Sequence, residues 1–150
     1  MIKKKFSHLT TAGEARMVNI GHKPIRHRRA VAEGKLICQP ATIRALKMNA
    51  LPKGDVLTVA QIAGIQAAKR AGELIPLCHP LMLNHVGVSF KVRRDAVEII
   101  CTAETRAQTG VEMEALTGVA VAALTLYDMC KAADKTMRIE GVRVVKKIKE

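Results

Sequence analysis

The chain has 150 residues, a length typical of one domain, and is expected to form a single domain over residues 1–150. Nearly half of it is apolar, yet only Phe6, Phe90 and Tyr127 are aromatic, so the core must be built from Val, Ile, Leu, Ala and Met. The net charge of +12 reads either as a basic surface that aids solubility or, more sharply, as a site for a polyanionic small molecule or nucleic acid. The scarcity of rings for base stacking, with no zinc-finger or helix-turn-helix pattern, weighs against nucleic acid.

Cys38, Cys78, Cys101 and Cys130 stand apart with no C-x-x-C pair. The start, Met1-Ile-Lys-Lys-Lys-Phe6, leads into no signal-like apolar run. Reduced thiols in a cytoplasmic protein are predicted. No apolar run reads as long enough to span a membrane.

In chain order, residues 1–15 read as loosely ordered, and Met17-Val-Asn-Ile20 as a short extended piece. Residues 22–29 form the densest basic cluster; in an extended segment Arg28 can face a phosphate while its neighbours face water. Residues 30–38 read as a strand interrupted at Gly34, and 41–47 as a short helix after Pro40. Thr58-Val-Ala-Gln61 has the form of a capping box opening a helix to Lys69, with Ile62, Ile65 and Ala68 inward and Gly72 as its stop. Val86, Val88, Phe90 and Val92, then Val97, Ile99 and Cys101, alternate as a β-hairpin around Arg93-Arg94-Asp95. Thr109-x-x-Glu112 reads as a second capping box before a long helix to about Ala133, and residues 141–149 as a last strand. The order is β-α-β-β-α-β, which predicts an α+β sandwich: an antiparallel sheet with helices on one face.

Several residues stand out chemically. Pro76 and Pro80 bracket Leu77, Cys78 and His79, and proline pushes the residue before it out of the helical region, so Ile75 and His79 should be extended. An imidazole held this way suits an acid, base or phosphate donor better than zinc, since Cys78, His79 and His85 match no familiar zinc spacing. Asp128 and Lys131 lie three apart on one helical side among apolar neighbours, where a partly buried carboxylate beside a lysine is tuned toward neutral pH. Glu112 has a structural reading as the last member of its capping box; Glu114 has none. Glu114 and Asp128 are fourteen residues apart, roughly 21 Å along one helix, so one small group cannot touch both. Either the substrate is long or a second subunit contributes. Lys53 sits in a Pro-Lys-Gly turn before a helix start, a place for phosphate or base chemistry, with Lys69 and Lys147 further on. Neither G-x-x-x-x-G-K-[ST] nor G-x-G-x-x-G occurs, which leaves phosphates to Lys and Arg side chains.

Five stretches carry a resemblance: residues 53–55 (KGD), 60–69 (AQIAGIQAAK), 74–81 (LIPLCHPL), 109–116 (TGVEMEAL) and 127–132 (YDMCKA). Together they resemble the cyclic pyranopterin monophosphate synthases of molybdenum cofactor biosynthesis, over about Gly13 to Lys147. The resemblance implies a ferredoxin-like fold and a homohexamer, a trimer of dimers, with sites at dimer interfaces. It implies conversion of 3′,8-cyclo-7,8-dihydroguanosine triphosphate to cyclic pyranopterin monophosphate and pyrophosphate. It implies no organic cofactor and no resident metal, and it allows Mg²⁺ on the triphosphate. By motif, Asp128 is the acid–base group and Lys131 and Lys53 are its partners. Leu77, Cys78, His79, Met113, Glu114 and Glu112 line the substrate pocket, and Arg28, Lys69 and Lys147 bind the triphosphate.

Two features depart from that pattern. Asn19 stands where the family usually has Asp, which puts the orientation of a basic group in doubt. The Gly- and Lys-rich tail common after the last strand is not seen before Glu150. The residues alone also admit two rivals: a basic RNA-binding module on a ferredoxin-like sheet, and a thiol or metal protein using Cys78 and His79.

Overall fold

The chain runs β1 (Arg26–Ile37), α1 (Pro40–Lys47), α2 (Val56–Lys69), α3 (Ala71–Leu74), β2 (His85–Val92), β3 (Ala96–Ala107), α4 (Glu112–Cys130) and β4 (Arg138–Lys149). The computed structural model describes residues 7–150. The four strands form one antiparallel sheet in the order β2-β3-β1-β4, with the helices packed on one side. This is the predicted ferredoxin-like α+β arrangement.

Period-two alternation decides which face is covered. Arg28, Ala30, Ala32, Gly34 and Leu36 of β1, and Val97, Ile99, Cys101, Ala103 and Thr105 of β3, all turn toward the helices and are buried. The register holds these rows opposite each other, Ala32 facing Cys101 and Gly34 facing Ile99.

α4 lies on this surface by virtue of small residues. A Cβ at Gly118 would sit 2.5 Å from Cys101 Sγ, and one at Gly34 would sit 2.7 Å from Val119 Cγ1. A Cβ at Gly64 of α2 would sit 2.9 Å from the Gly118 carbonyl. Gly34 is therefore no interruption: β1 runs through it, because α4 needs the space there. The same packing alters the predicted inward face of α2: Ala68 is buried as expected, whereas Ile62 is not. Val56, Ala60, Gly64, Ala67 and Ala68 are buried, while Ile62 is half-exposed and Ile65 only partly covered. Close helix approach selects the smallest face; Ile65 packs against the core beside it, and Ile62 points away.

Neither predicted capping box forms. α2 is capped by Asp55, whose carboxylate accepts from the Thr58 N–H at 3.1 Å and the Thr58 hydroxyl at 2.6 Å. α4 starts at Glu112 itself, behind Val111, with no side-chain cap. α4 ends at Cys130, and β4 begins earlier than predicted, at Arg138. Gly72 does not stop α2 but lies inside α3, where a Cβ would meet Pro80 Cα at 2.9 Å.

Residues 17–20 form no strand. Residues 7–16 are more ordered than predicted: Leu9 bridges Ala15, and the Arg16 N–H donates to the His8 carbonyl at 2.9 Å. Residues 1–6, the first part of the predicted loose segment, lie outside the described residues. The reading that no segment has membrane-span length also needs correction, since α4 is long and apolar enough by length and hydropathy. Its apolar character is used in packing against the sheet and α2.

Beyond α4, buried Asp134 ties the chain back to the start of α1. Its carboxylate accepts from the Gln39 N–H, the Thr42 hydroxyl, and the N–H and hydroxyl of Thr136, at 2.7–3.1 Å.

Gly118→Ala is expected to destabilise the protein. Overpacking costs about 1–3 kcal/mol, only partly offset by the ~1 kcal/mol that alanine gains over glycine in a helix. Urea unfolding reads the difference; wild-type stability in this variant would remove the close-approach explanation.

Candidate active site

At the C-terminal end of α4, Asp128 is clamped between two lysines. Its Oδ1 accepts from Lys131 Nζ at 2.7 Å and its Oδ2 from Lys53 Nζ at 2.8 Å. Lys53 also donates to the Asp128 main-chain carbonyl at 3.2 Å. Helical spacing supplies Lys131; the loop between α1 and α2 supplies Lys53. Gly54, at φ 84°, turns that loop, and the Asp55 cap fixes its exit.

These three side chains are 46–54% exposed, so Asp128 is not the partly buried carboxylate that its apolar neighbours suggested. Nor is it tuned toward neutrality. The hydrogen bond from Lys131, then that from Lys53, pulls its pKa down to about 2, while Asp128 raises that of Lys131. The acid and base ends of the cluster are pushed apart. At neutral pH Asp128 is an anion, and Lys131 holds its proton more tightly for having it as a partner.

A second group gathers at the N-terminal end of α4. Glu114 is buried, and its Oε2 has no hydrogen-bond partner. The Cys78 thiol approaches Oε1 at 4.0 Å, and no third His, Cys, Asp or Glu completes a metal-binding group among the described residues. Burial, with Glu112 adding repulsion, raises the Glu114 pKa; burial, then Glu114, raises that of Cys78. Lys69, the last residue of α2, lines a narrow cleft of ≈ 80 Å³ with Gly72, Pro80 and Glu114. It also lines a wider cleft of ≈ 460 Å³ beside residues 81–86. The imidazole of His79 lies with Nε2 2.6 Å from the Val18 carbonyl. Ile75, before the first proline of this loop, is extended as predicted, with φ −108° and ψ 112°.

A third set joins the same end. Glu112, freed from the predicted capping role, forms an ion pair with Lys147 of β4. Burial by itself would raise the Glu112 pKa, but Lys147 outweighs it and the net shift is downward. Arg28 faces inward and is buried, donating through Nη2 to the Gln108 carbonyl at 3.3 Å, while its Nε has no partner. Three neighbours in the basic cluster, Arg26, His27 and Arg29, are more exposed.

The predicted site residues thus fall into two assemblies on one helix: Lys53, Asp128 and Lys131 at one end, and Cys78, His79, Glu112, Glu114, Lys69, Arg28 and Lys147 toward the other. The fourteen residues between Glu114 and Asp128 separate them by roughly 21 Å. Leu77 and Met113 lie on the surface with other exposed apolar residues: Leu74 at the end of α3, and Ile62 and Leu124 on α2 and α4.

Sequence reasoning missed Gln108, which receives Arg28, and the backbone of Val18, which receives His79. The available signal was Asn19-Ile-Gly21. Asn19 Oδ1 accepts from the Gly21 N–H at 2.9 Å, an Asx turn that bends the segment here. An amide oxygen serves this bond as a carboxylate would, so the departure from Asp leaves the turn intact.

The α+β sandwich carries a lysine–carboxylate–lysine clamp at one end of α4 and clefts lined by Lys69 near the other, an arrangement of the kind enzymes use for proton transfer. The chain belongs to the MoaC family, whose model matches residues 17–149. It is 54% identical over 145 residues to the cyclic pyranopterin monophosphate synthase of Chloroflexus aggregans, covering 95% of this chain and 88% of that protein. It is 51% identical to the protein of the same name from Natranaerobius thermophilus, covering 95% and 91%. A molybdenum cofactor biosynthesis bifunctional protein of Chlorobaculum tepidum is 51% identical over 140 residues, covering 93% of this chain and 45% of that protein.

Two titrations check this electrostatic arrangement. In Asp128→Asn the Lys131 ammonium should titrate at lower pH than in wild type by NMR, with an unchanged melting temperature because the pair is exposed. Glu114 has a raised pKa, so the folded state holds its proton more tightly than the unfolded chain does. Wild type should therefore lose stability as pH rises from about 4.5 through the raised value, a loss absent in Glu114→Gln. A melting-temperature difference between the two proteins that stays flat over that window would show that Glu114 is not buried as an acid.

Proposed function

We propose that the chain is a cyclic pyranopterin monophosphate synthase. It converts 3′,8-cyclo-7,8-dihydroguanosine 5′-triphosphate to cyclic pyranopterin monophosphate and releases pyrophosphate, within molybdenum cofactor biosynthesis. The observation that carries this reading is the Lys53–Asp128–Lys131 clamp, on a helix whose other end gathers Arg28, Lys147 and Lys69. The printed names of the relatives point the same way.

The chemistry asks for proton transfers as the base-derived ring opens and the pyranopterin forms. Lysine ammonium groups held by an anionic Asp128 can donate those protons, and a lysine that has given one up can accept another. Asp128 acts here by holding both lysines and by stabilising their charged forms. A substrate hydroxyl then attacks the α-phosphate, and the bond to the leaving pyrophosphate breaks. Arg28, Lys69 and Lys147 bear on the charge gathering there. Lys147 enters this role by exchanging Glu112 for phosphate oxygens. Leu77, Cys78, His79, Met113 and Glu114 hold the ring system. These steps are proton transfer and phosphoryl displacement, which Lys, Arg and Asp supply without an organic cofactor; any Mg²⁺ travels with the triphosphate.

The distance between the two assemblies supports a site shared by two copies, one presenting its clamp to the other's cleft. Exposed Leu74, Leu77, Ile62, Met113 and Leu124 offer apolar surface for such a contact. The full reading is a cytoplasmic homohexamer built as a trimer of dimers. An RNA-binding module is not favoured, because the central strands β1 and β3 carry no Phe, Tyr or Trp on which a base could stack.

Turnover of the cyclic dihydroguanosine triphosphate, with pyrophosphate and the pterin product followed together, tests the reading. Wild type should give both products, and Asp128→Asn should lose at least about 10²-fold in kcat, the scale of a lost proton-transfer group. Lys69→Ala should raise KM more than it lowers kcat. Full activity in Asp128→Asn would remove the clamp from the mechanism. Activity retained in a monomer, as judged by light scattering, would exclude the shared site.

A further inference from the structure

His79 makes a hydrogen bond that determines which face of its ring can do chemistry. Its Nε2 lies 2.6 Å from the carbonyl oxygen of Val18. A carbonyl oxygen only accepts, so Nε2 must carry the proton and donate it. In the neutral ring the other nitrogen, Nδ1, is then a bare acceptor. No described protein group bonds to Nδ1, and it is not sealed from solvent.

The Val18 carbonyl belongs to a shaped segment. The Asn19 amide oxygen accepts from the Gly21 N–H at 2.9 Å, and the Lys23 N–H donates to the Ile20 carbonyl at 2.9 Å, so two consecutive turns bend residues 19–23. The same segment touches the site a second time, where the Gln108 amide donates to the Gly21 carbonyl at 3.5 Å. The Gln108 main-chain carbonyl in turn accepts from Arg28. Residues 18–21 therefore lie across both the imidazole and the residue that receives Arg28. Half-buried Val18 sits inward, while Asn19 is on the surface.

We propose that Asn19 is a positioning residue of the substrate site. Through its Asx turn it sets the Val18 carbonyl, which holds His79 as the Nε2–H tautomer and leaves Nδ1 to accept a hydrogen bond from an N–H or O–H of the bound ring system. The identity of that donor rests on the function proposed above; the tautomer and the role of Asn19 do not. The ring selects ligands with a donor at that position, and an analogue presenting an acceptor there meets a lone pair. The clamp at Asp128 is untouched by this device, so Asn19 acts on binding and not on the proton-transfer groups.

The direct test is long-range ¹H–¹⁵N correlation on the full chain labelled at histidine, at alkaline pH, with His79→Gln assigning the resonance. Nε2 should appear as the protonated nitrogen and Nδ1 as the bare one. In Asn19→Ala the two tautomers should mix, and KM for the cyclic dihydroguanosine triphosphate should rise about 3–10-fold, the scale of one weakened hydrogen bond, with kcat within about twofold. Asn19→Asp keeps the acceptor and should restore both the tautomer and KM. A proton on Nδ1 in wild type overturns the proposal, as does an Asn19→Ala protein with wild-type tautomer and KM. If the tautomer behaves as stated in all three proteins but wild type turns over no substrate, the proposed reaction fails and the positioning role of Asn19 stands.

Discussion

Everything in this structure hangs on how closely α4 can lie against its neighbours. Gly34 in the sheet, Gly64 in α2 and Gly118 in α4 each leave out a side chain that would collide with another element. Their cost is conformational entropy in the unfolded chain, and glycine inside a helix or strand gives up about 0.5–1 kcal/mol relative to alanine. In return, a core almost without aromatic rings reaches close packing with Ala, Val, Leu and Cys. This packing also removes rotational freedom from α4. Once Gly118 faces Cys101 and Gly64, Glu114 must point inward at one end and Asp128 outward at the other.

That single orientation gives the two ends of the helix opposite electrostatics. At the exposed end a carboxylate sits between two ammonium groups, and solvent keeps all three charges affordable. At the buried end a carboxylate lacks a full set of partners, and burial drives it toward its neutral form. Two acidic residues of similar intrinsic acidity are therefore shifted in opposite directions, Asp128 downward and Glu114 upward. One is suited to holding cations in place, the other to meeting an uncharged ring.

The segment before β1 has more to do than its position suggests. It neither pairs as a strand nor enters the core, yet its Val18 carbonyl accepts a hydrogen bond from His79, and it touches Gln108. The Pro-bracketed loop fixes the backbone of His79 from one side, and Gly72 packs that loop onto α3. A carbonyl some sixty residues earlier in the chain fixes its ring from the other. Backbone and side chain of one histidine are thus held by separate parts of the fold.

Local pattern alone determined a good deal here. Alternation marked β2 and β3, the proline-flanked loop announced itself, and spacing of three put Lys131 beside Asp128, because these depend only on neighbours within a turn or a pleat. The separation of Glu114 from Asp128 was equally legible, since helical rise is fixed by backbone geometry. Tertiary structure decided the rest. The inward face of α2 went mainly to its smallest residues, leaving Ile62 outside, because the partner helix and not hydrophobicity alone chose it. Glu112 looked like a capping residue until β4 brought Lys147 to it, and Asp128 looked half-buried until the fold left it exposed between two lysines. Lys53 with Asp128, Arg28 with Gln108 and His79 with Val18 are each pairs separated by 61 to 80 positions. No periodicity carries information over such distances; only the assembled sheet and the helices laid across it bring those groups within a hydrogen bond.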